Sequence, residues 1–143
     1  MTLRLIFTLL LSIGLASPVQ AEKIKLNIVI DGISHNSGSL VARVYNKDNW
    51  LSDEPLLSQS LPIPKSFDRG PLTMCLDIDA GKYSFAVYHD VDGNGQMNKN
   101  FIGLPAEPVG LSNKHVPRFG PPRYRKAEMK IDKNTDTINI TLD

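Results

Sequence analysis

An antiparallel β-sandwich of about seven strands is predicted by three features of the 143-residue sequence. Apolar residues recur with a period of two rather than the helical period. Clusters of Asp, Asn, Gly and Pro punctuate the alternating runs at short intervals. No stretch sustains the apolar stripe that a helix would need to pack on a core.

The chain opens with a segment that reads as a secretory signal peptide over residues 1–21. Arg4 supplies its positive start, residues 5–15 an apolar core and Val19-Gln20-Ala21 a small-residue cleavage signature. That core is too short for a stable membrane anchor once the segment is cleaved. A β-sandwich domain over 22–143 is therefore expected in the periplasm or outside the cell.

The first strand spans 24–30, with Ile24, Leu26, Ile28 and Ile30 on one face. Asp31-Gly32 ends it, and Asn36-Ser37-Gly38 turns the chain into a second strand at 39–45. Leu40, Ala42 and Val44 form its inward set, and the two strands are expected to pair antiparallel. Residues 46–70 are interrupted by Pro55, Pro62 and Pro64 and carry at most one helical turn near Trp50 and Leu51. In the third strand, 72–78, Leu72, Met74, Leu76 and Ile78 share a face, and Cys75 points away beneath a neighbouring segment. A turn at Asp79-Ala80-Gly81-Lys82 leads into 83–89, whose inward set is Tyr83, Phe85 and Val87. A Pro/Gly-rich connection over 104–122 holds a short strand at 109–112. Alternation at 127–131 and 138–142 closes the domain.

Charge narrows the partners. Setting aside Arg4 leaves fifteen basic residues against fifteen acidic ones in 22–143. A balanced chain has no overall attraction to nucleic acid or to an anionic membrane. Cys75 is the single cysteine, so no disulfide forms within the chain.

The strongest chemical signal is His89 to Asn100, read HDVDGNGQMNKN. Hard divalent cations such as calcium take six to eight oxygen ligands. With Asp90 as position 1 of an EF-hand-type loop, Asp92 and Asn94 fall at positions 3 and 5. The required glycine at position 6 is Gly95, Gln96 offers a backbone carbonyl at position 7, and Asn98 stands at position 9. Position 12 is Phe101 instead of the bidentate Glu. An ion there must take its last ligand from Asn100, water or another segment, which favours a structural Ca2+ site over a high-affinity sensor. A metal-free Asp/Asn/Gly turn is the plain alternative.

The order of strand, Ala-Gly-Lys-Tyr, strand and His-Asp is similar to transthyretin-like and collagen-adhesin B-type sandwiches, an immunoglobulin-like class of fold. More specifically, Asp79 through Tyr83, His89-Asp90, Gly93-Asn94-Gly95 and Asn100-Phe101-Ile102-Gly103-Leu104-Pro105 form one pattern. Gly110, Ser112-Asn113 and Phe119-Gly120-Pro121-Pro122 extend it. This pattern resembles the secreted bacterial domain-of-unknown-function family DUF 2141 over nearly all of 22–143. The resemblance implies an exported β-sandwich and assigns no reaction.

Catalytic motifs are not evident. There is no Gly-x-Ser-x-Gly elbow or Cys–His motif, and His35, His89 and His115 are too dispersed to suggest a zinc or copper site. His89 is expected to orient Asp90 or to cap its strand. Binding is better supported. Lys114, His115, Arg118, Arg123, Arg125 and Lys126 interleave with Phe119 and Tyr124. Arg118, Arg123, Arg125 and Tyr124 are the candidate ligand-binding set, since guanidinium beside an aromatic ring suits phosphate, carboxylate or sugar acids. Trp50 and Tyr45 are a second candidate, a sugar-stacking platform. The expected role is a non-catalytic binding or accessory domain for a polysaccharide, an envelope component or a protein partner. A small envelope hydrolase and a purely structural envelope protein are the alternatives.

Overall fold

A computed structural model describes residues 22–116 and 120–143. The predicted signal segment at 1–21 and Arg118 lie outside the described residues. The fold is the expected all-β sandwich, built among the described residues from eight strands in two sheets. Among the described residues no helix is long and apolar enough to cross a membrane.

In the first sheet, β1 (Ile24–Asp31) lies between β4 (Leu72–Ile78) and β8 (Thr137–Thr141). β4 runs antiparallel to β1, whereas β8 runs parallel to it. Strict alternation explains why this layer forms. Leu26, Ile28, Ile30, Met74, Leu76, Ile78, Ile138 and Ile140 are buried, while Thr73, Cys75, Asp77 and Asn139 face solvent. Cys75 is thus exposed and not covered by a neighbouring segment.

The second sheet follows the order β3 (Leu57–Pro62), β2 (Ser39–Tyr45), β5 (Gly81–Asp90), β6 (Val109–Leu111). The short β7 (Met129–Ile131) pairs with the first residues of β5. Leu40, Ala42, Val44, Phe85, Val87 and Ile131 meet the side chains of the first sheet in one core. Val109 and Asp143 exchange two 3.2 Å backbone hydrogen bonds, which closes one edge of the sandwich.

Two further expectations are corrected. β1 and β2 do not pair; β1 bonds to β4 and β8, and β2 to β3 and β5. Residues 32–38 are too long for a tight hairpin and carry the chain from one sheet to the other. β1 and β2 therefore face each other across the core. The irregular stretch 46–70 contains β3, an edge strand whose Ser58, Gln59 and Ser60 are all exposed. Such a strand is held by its backbone ladder to β2, so no apolar alternation announces it.

β5 organises the molecule because both of its faces are covered. Phe85, Val87 and His89 point into the sandwich, while Ser84, Ala86, Tyr88 and Asp90 are buried on the outer side. Near the start of β5 that outer side lies under Trp50 and a single helical turn, α1 (Tyr124–Ala127), which packs with Tyr45, Ala86 and Leu111. The other end of β5 delivers Asp90 into the acidic loop.

Candidate metal loop and basic groove

Asp90 ends β5 almost fully buried, and its carboxylate shapes the loop that follows. Its two oxygens accept hydrogen bonds from the amides of Asn94 and Gly95, at 3.1 and 2.8 Å. Gly93 and Gly95, at φ 72° and 76°, supply the left-handed backbone that this curl requires. Asp92 accepts from the Asn94 amide and from the side-chain amides of Asn94 and Asn98. The hydrogen bond from Asn98, followed by that from the Asn94 backbone, holds the Asp92 carboxyl below its ordinary range.

The closing acid comes from elsewhere in the sequence. Glu107 is buried, and its two oxygens accept from the amides of Val91 (3.1 Å) and Asn98 (3.0 Å). One oxygen each from Asp90, Asp92 and Glu107 all lie within 4.8 Å of one another. Glu107 was not a predicted ligand, because it lies beyond the twelve-position frame. An acid set between Pro105-Ala106 and Pro108 is a weak signal. It reaches the loop only because Ala106 donates to the Asn98 carbonyl and Lys99 bridges to Pro105, folding the chain back.

The other predicted ligands divide. Asn94 and Asn98 join the cluster, with their amide nitrogens turned toward neighbouring oxygens. Rotating the Asn98 amide by half a turn would present its oxygen in place of the NH2 group, whereas the Asn94 oxygen is held by the Gln96 backbone amide. Gln96 is exposed, and its amide donates to the Asn94 side chain at 2.7 Å. Asn100 stands apart from the cluster; its side-chain oxygen accepts from Ile102 and Leu104. Carboxylates with neighbouring side-chain amides suit a hard cation such as calcium rather than a soft metal.

The floor beneath the loop is aromatic. The buried Tyr88 hydroxyl donates to the Gly95 carbonyl at 3.3 Å, and the Arg43 guanidinium lies 5.3 Å from the Tyr88 ring centre. Burial pushes the Tyr88 phenol above its ordinary value, with Arg43 opposing the shift. His89 does not orient Asp90. Successive strand residues face opposite ways, and the His89 Nε2 donates instead to the Ser37 carbonyl at 2.7 Å.

At the opposite end of β5, Arg123, Tyr124, Arg125 and Lys126 line an open groove of about 480 Å3 together with Lys47. Lys47 follows β2, so only the fold brings it there. Tyr124 is anchored by its hydroxyl to the Lys82 carbonyl, and its backbone carbonyl accepts from Ser84. Among the described residues none of the four cations is in an ion pair; the pairs present are Lys23–Asp79, Lys82–Glu128 and Lys130–Asp132. Trp50 does not form a platform with Tyr45. Tyr45 is buried, Trp50 packs edge-on against Tyr45 and Tyr124, and its indole NH donates to the Pro122 carbonyl. These contacts make Trp50 a brace for the groove wall.

Fold and site together define an all-β sandwich whose central strand ends in an oxygen-lined loop. Residues 28–139 match the family described as "Uncharacterized protein conserved in bacteria (DUF2141)", and the chain belongs to that family. No curated protein and no solved structure matches it.

Proposed function

We propose that the chain is an exported, non-catalytic binding or accessory domain that holds a calcium-type cation in the loop after β5. The observation that carries this reading is the approach of Asp90, Asp92 and Glu107 to within 4.8 Å. The acid missing at position 12 has a counterpart in Glu107, which enters from the far arm of the same excursion. Such an ion ties both arms of the 91–107 excursion to the end of β5, a structural role. Export rests on the signal-peptide signature at 1–21.

Calcium titration of the processed protein tests the reading. At calcium near ten times its Kd, binding adds about 1.4 kcal/mol of stability. The melting temperature is then expected to rise by about 5 °C and to fall back on chelation. An unchanged melt at millimolar calcium overturns the cation.

The groove supports a more specific statement about the ligand. Four unpaired cations around Tyr124 favour an anionic partner, such as an acidic polysaccharide or another envelope component. Replacing Arg123 and Arg125 by Ala is expected to lower the salt concentration that elutes the protein from an anionic polysaccharide matrix. Unchanged elution removes the groove as the binding surface.

A further inference from the structure

Turn tips are normally built from Gly, Asn, Asp, Pro or Ser. The excursion that carries the cation loop ends differently. Gly103 donates to the Asn100 carbonyl at 2.9 Å, so Phe101 and Ile102 occupy the two central positions of a β-turn. Phe101 is 98% exposed, Ile102 63% and Leu104 54%. Nothing else in the described chain exposes three large apolar side chains within four residues.

The tip is nonetheless well organised. The Asn100 amide donates to the Leu104 carbonyl at 2.8 Å, and the Asn100 side-chain oxygen accepts from Ile102 and Leu104. Three of the four amides over 101–104 are thus satisfied inside the turn itself. Gly103, at φ 81°, permits this closure.

We propose that the 101–104 turn is a membrane-docking tip that enters the surface of a phospholipid bilayer when the adjacent loop holds its cation. The proposal rests on the cation reading above. Three observations favour a bilayer over a protein partner. First, a stable protein interface buries about 800 Å2 on each side, whereas three side chains on a narrow tip offer on the order of a few hundred. Second, lipid demands that backbone groups be satisfied internally, which this turn achieves for the amides of Ile102, Gly103 and Leu104. A protein partner could supply such hydrogen bonds itself, which lipid tails cannot. Third, Asp90, Asp92 and Glu107 stand together at the base of the tip, outnumbering Lys99 of the same excursion and Arg43 beneath Tyr88. The net negative charge that remains opposes approach to an anionic surface, and a divalent cation offsets it.

Vesicles of phosphatidylethanolamine with a minority of phosphatidylglycerol test the proposal by co-sedimentation. The processed protein is expected to sediment with them in millimolar calcium and to stay in the supernatant with chelator. Phe101→Ser with Ile102→Ser changes only exposed side chains. It should weaken capture roughly tenfold or more while leaving the calcium-induced rise in melting temperature intact. If calcium raises the melting temperature but vesicles do not capture the protein, docking falls and the cation stands. If neither effect occurs, both fall. Capture that persists in chelator or in the double variant overturns the proposal. So does a tip-dependent self-association without vesicles, which would assign the turn to a protein contact.

Discussion

Asp90→Ala is expected to cost about 2 kcal/mol in chelator and to abolish the stabilisation by calcium. Its carboxylate is buried and accepts from the amides of Asn94 and Gly95. Removing it leaves two backbone donors without a protein partner in a partly enclosed loop, a loss of about 1–3 kcal/mol by itself. It also removes the first oxygen of the proposed cation set. The deficit relative to the natural chain should therefore grow when calcium is added, because only the natural chain gains from binding. Asp90→Asn separates the two effects. Its one oxygen still accepts from one loop amide while its NH2 faces the other. It should therefore recover only about half of the Asp90→Ala loss in chelator, and without the charge it should respond little to calcium. Thermal melts of the three proteins, with and without calcium, decide the matter. A deficit for Asp90→Ala that is identical in both conditions would show that Asp90 only shapes the turn.

Gly38→Ala is expected to destabilise the fold by about 3 kcal/mol or more. Gly38 sits at φ 78°, a region costly for any residue with a Cβ. A Cβ there would also run into the Asp90 carbonyl oxygen and lie 2.9 Å from both the Asp90 carbonyl carbon and the Val91 Cα. All three are backbone atoms at the point where β5 becomes the acidic loop, so no side chain can yield. Gly93 provides the control. Its φ is 72°, but nothing lies within 4 Å of an added Cβ, so Gly93→Ala should cost only about 1–2 kcal/mol of backbone strain. Urea unfolding of both variants measures the difference. Equal losses would mean that the approach of residues 32–38 to Asp90 is not a constraint on the fold.

Much of this architecture is legible residue by residue. Leu26, Ile28 and Ile30 alternate with polar neighbours, as do Met74, Leu76 and Ile78, and each triplet became a buried strand face. The Asp90-x-Asp92-x-Asn94-Gly95 spacing marks a tight turn lined by oxygens, and the loop has that form. Arg123, Tyr124 and Arg125 lie close together in sequence and line one groove. β3 was invisible because Ser58, Gln59 and Ser60 bury nothing. The strand 127–131 was legible only in its later part, since Ala127 belongs to α1 and β7 begins at Met129.

The sequence by itself determined which faces are apolar, where the chain must turn, and that Asp90, Asp92, Asn94 and Asn98 would share one loop. These are short-range properties, set by side-chain periodicity and by the backbone freedom of a few glycines. Only the tertiary structure decided that β1 crosses to the opposite sheet from β2, that Lys47 joins the basic groove and that Glu107 closes the acidic loop. Period-two alternation records which side of a strand is buried but carries no label for the strand beside it. A return over many residues is fixed by backbone pairing, such as that of Ala106 with Asn98, which almost any residue can make.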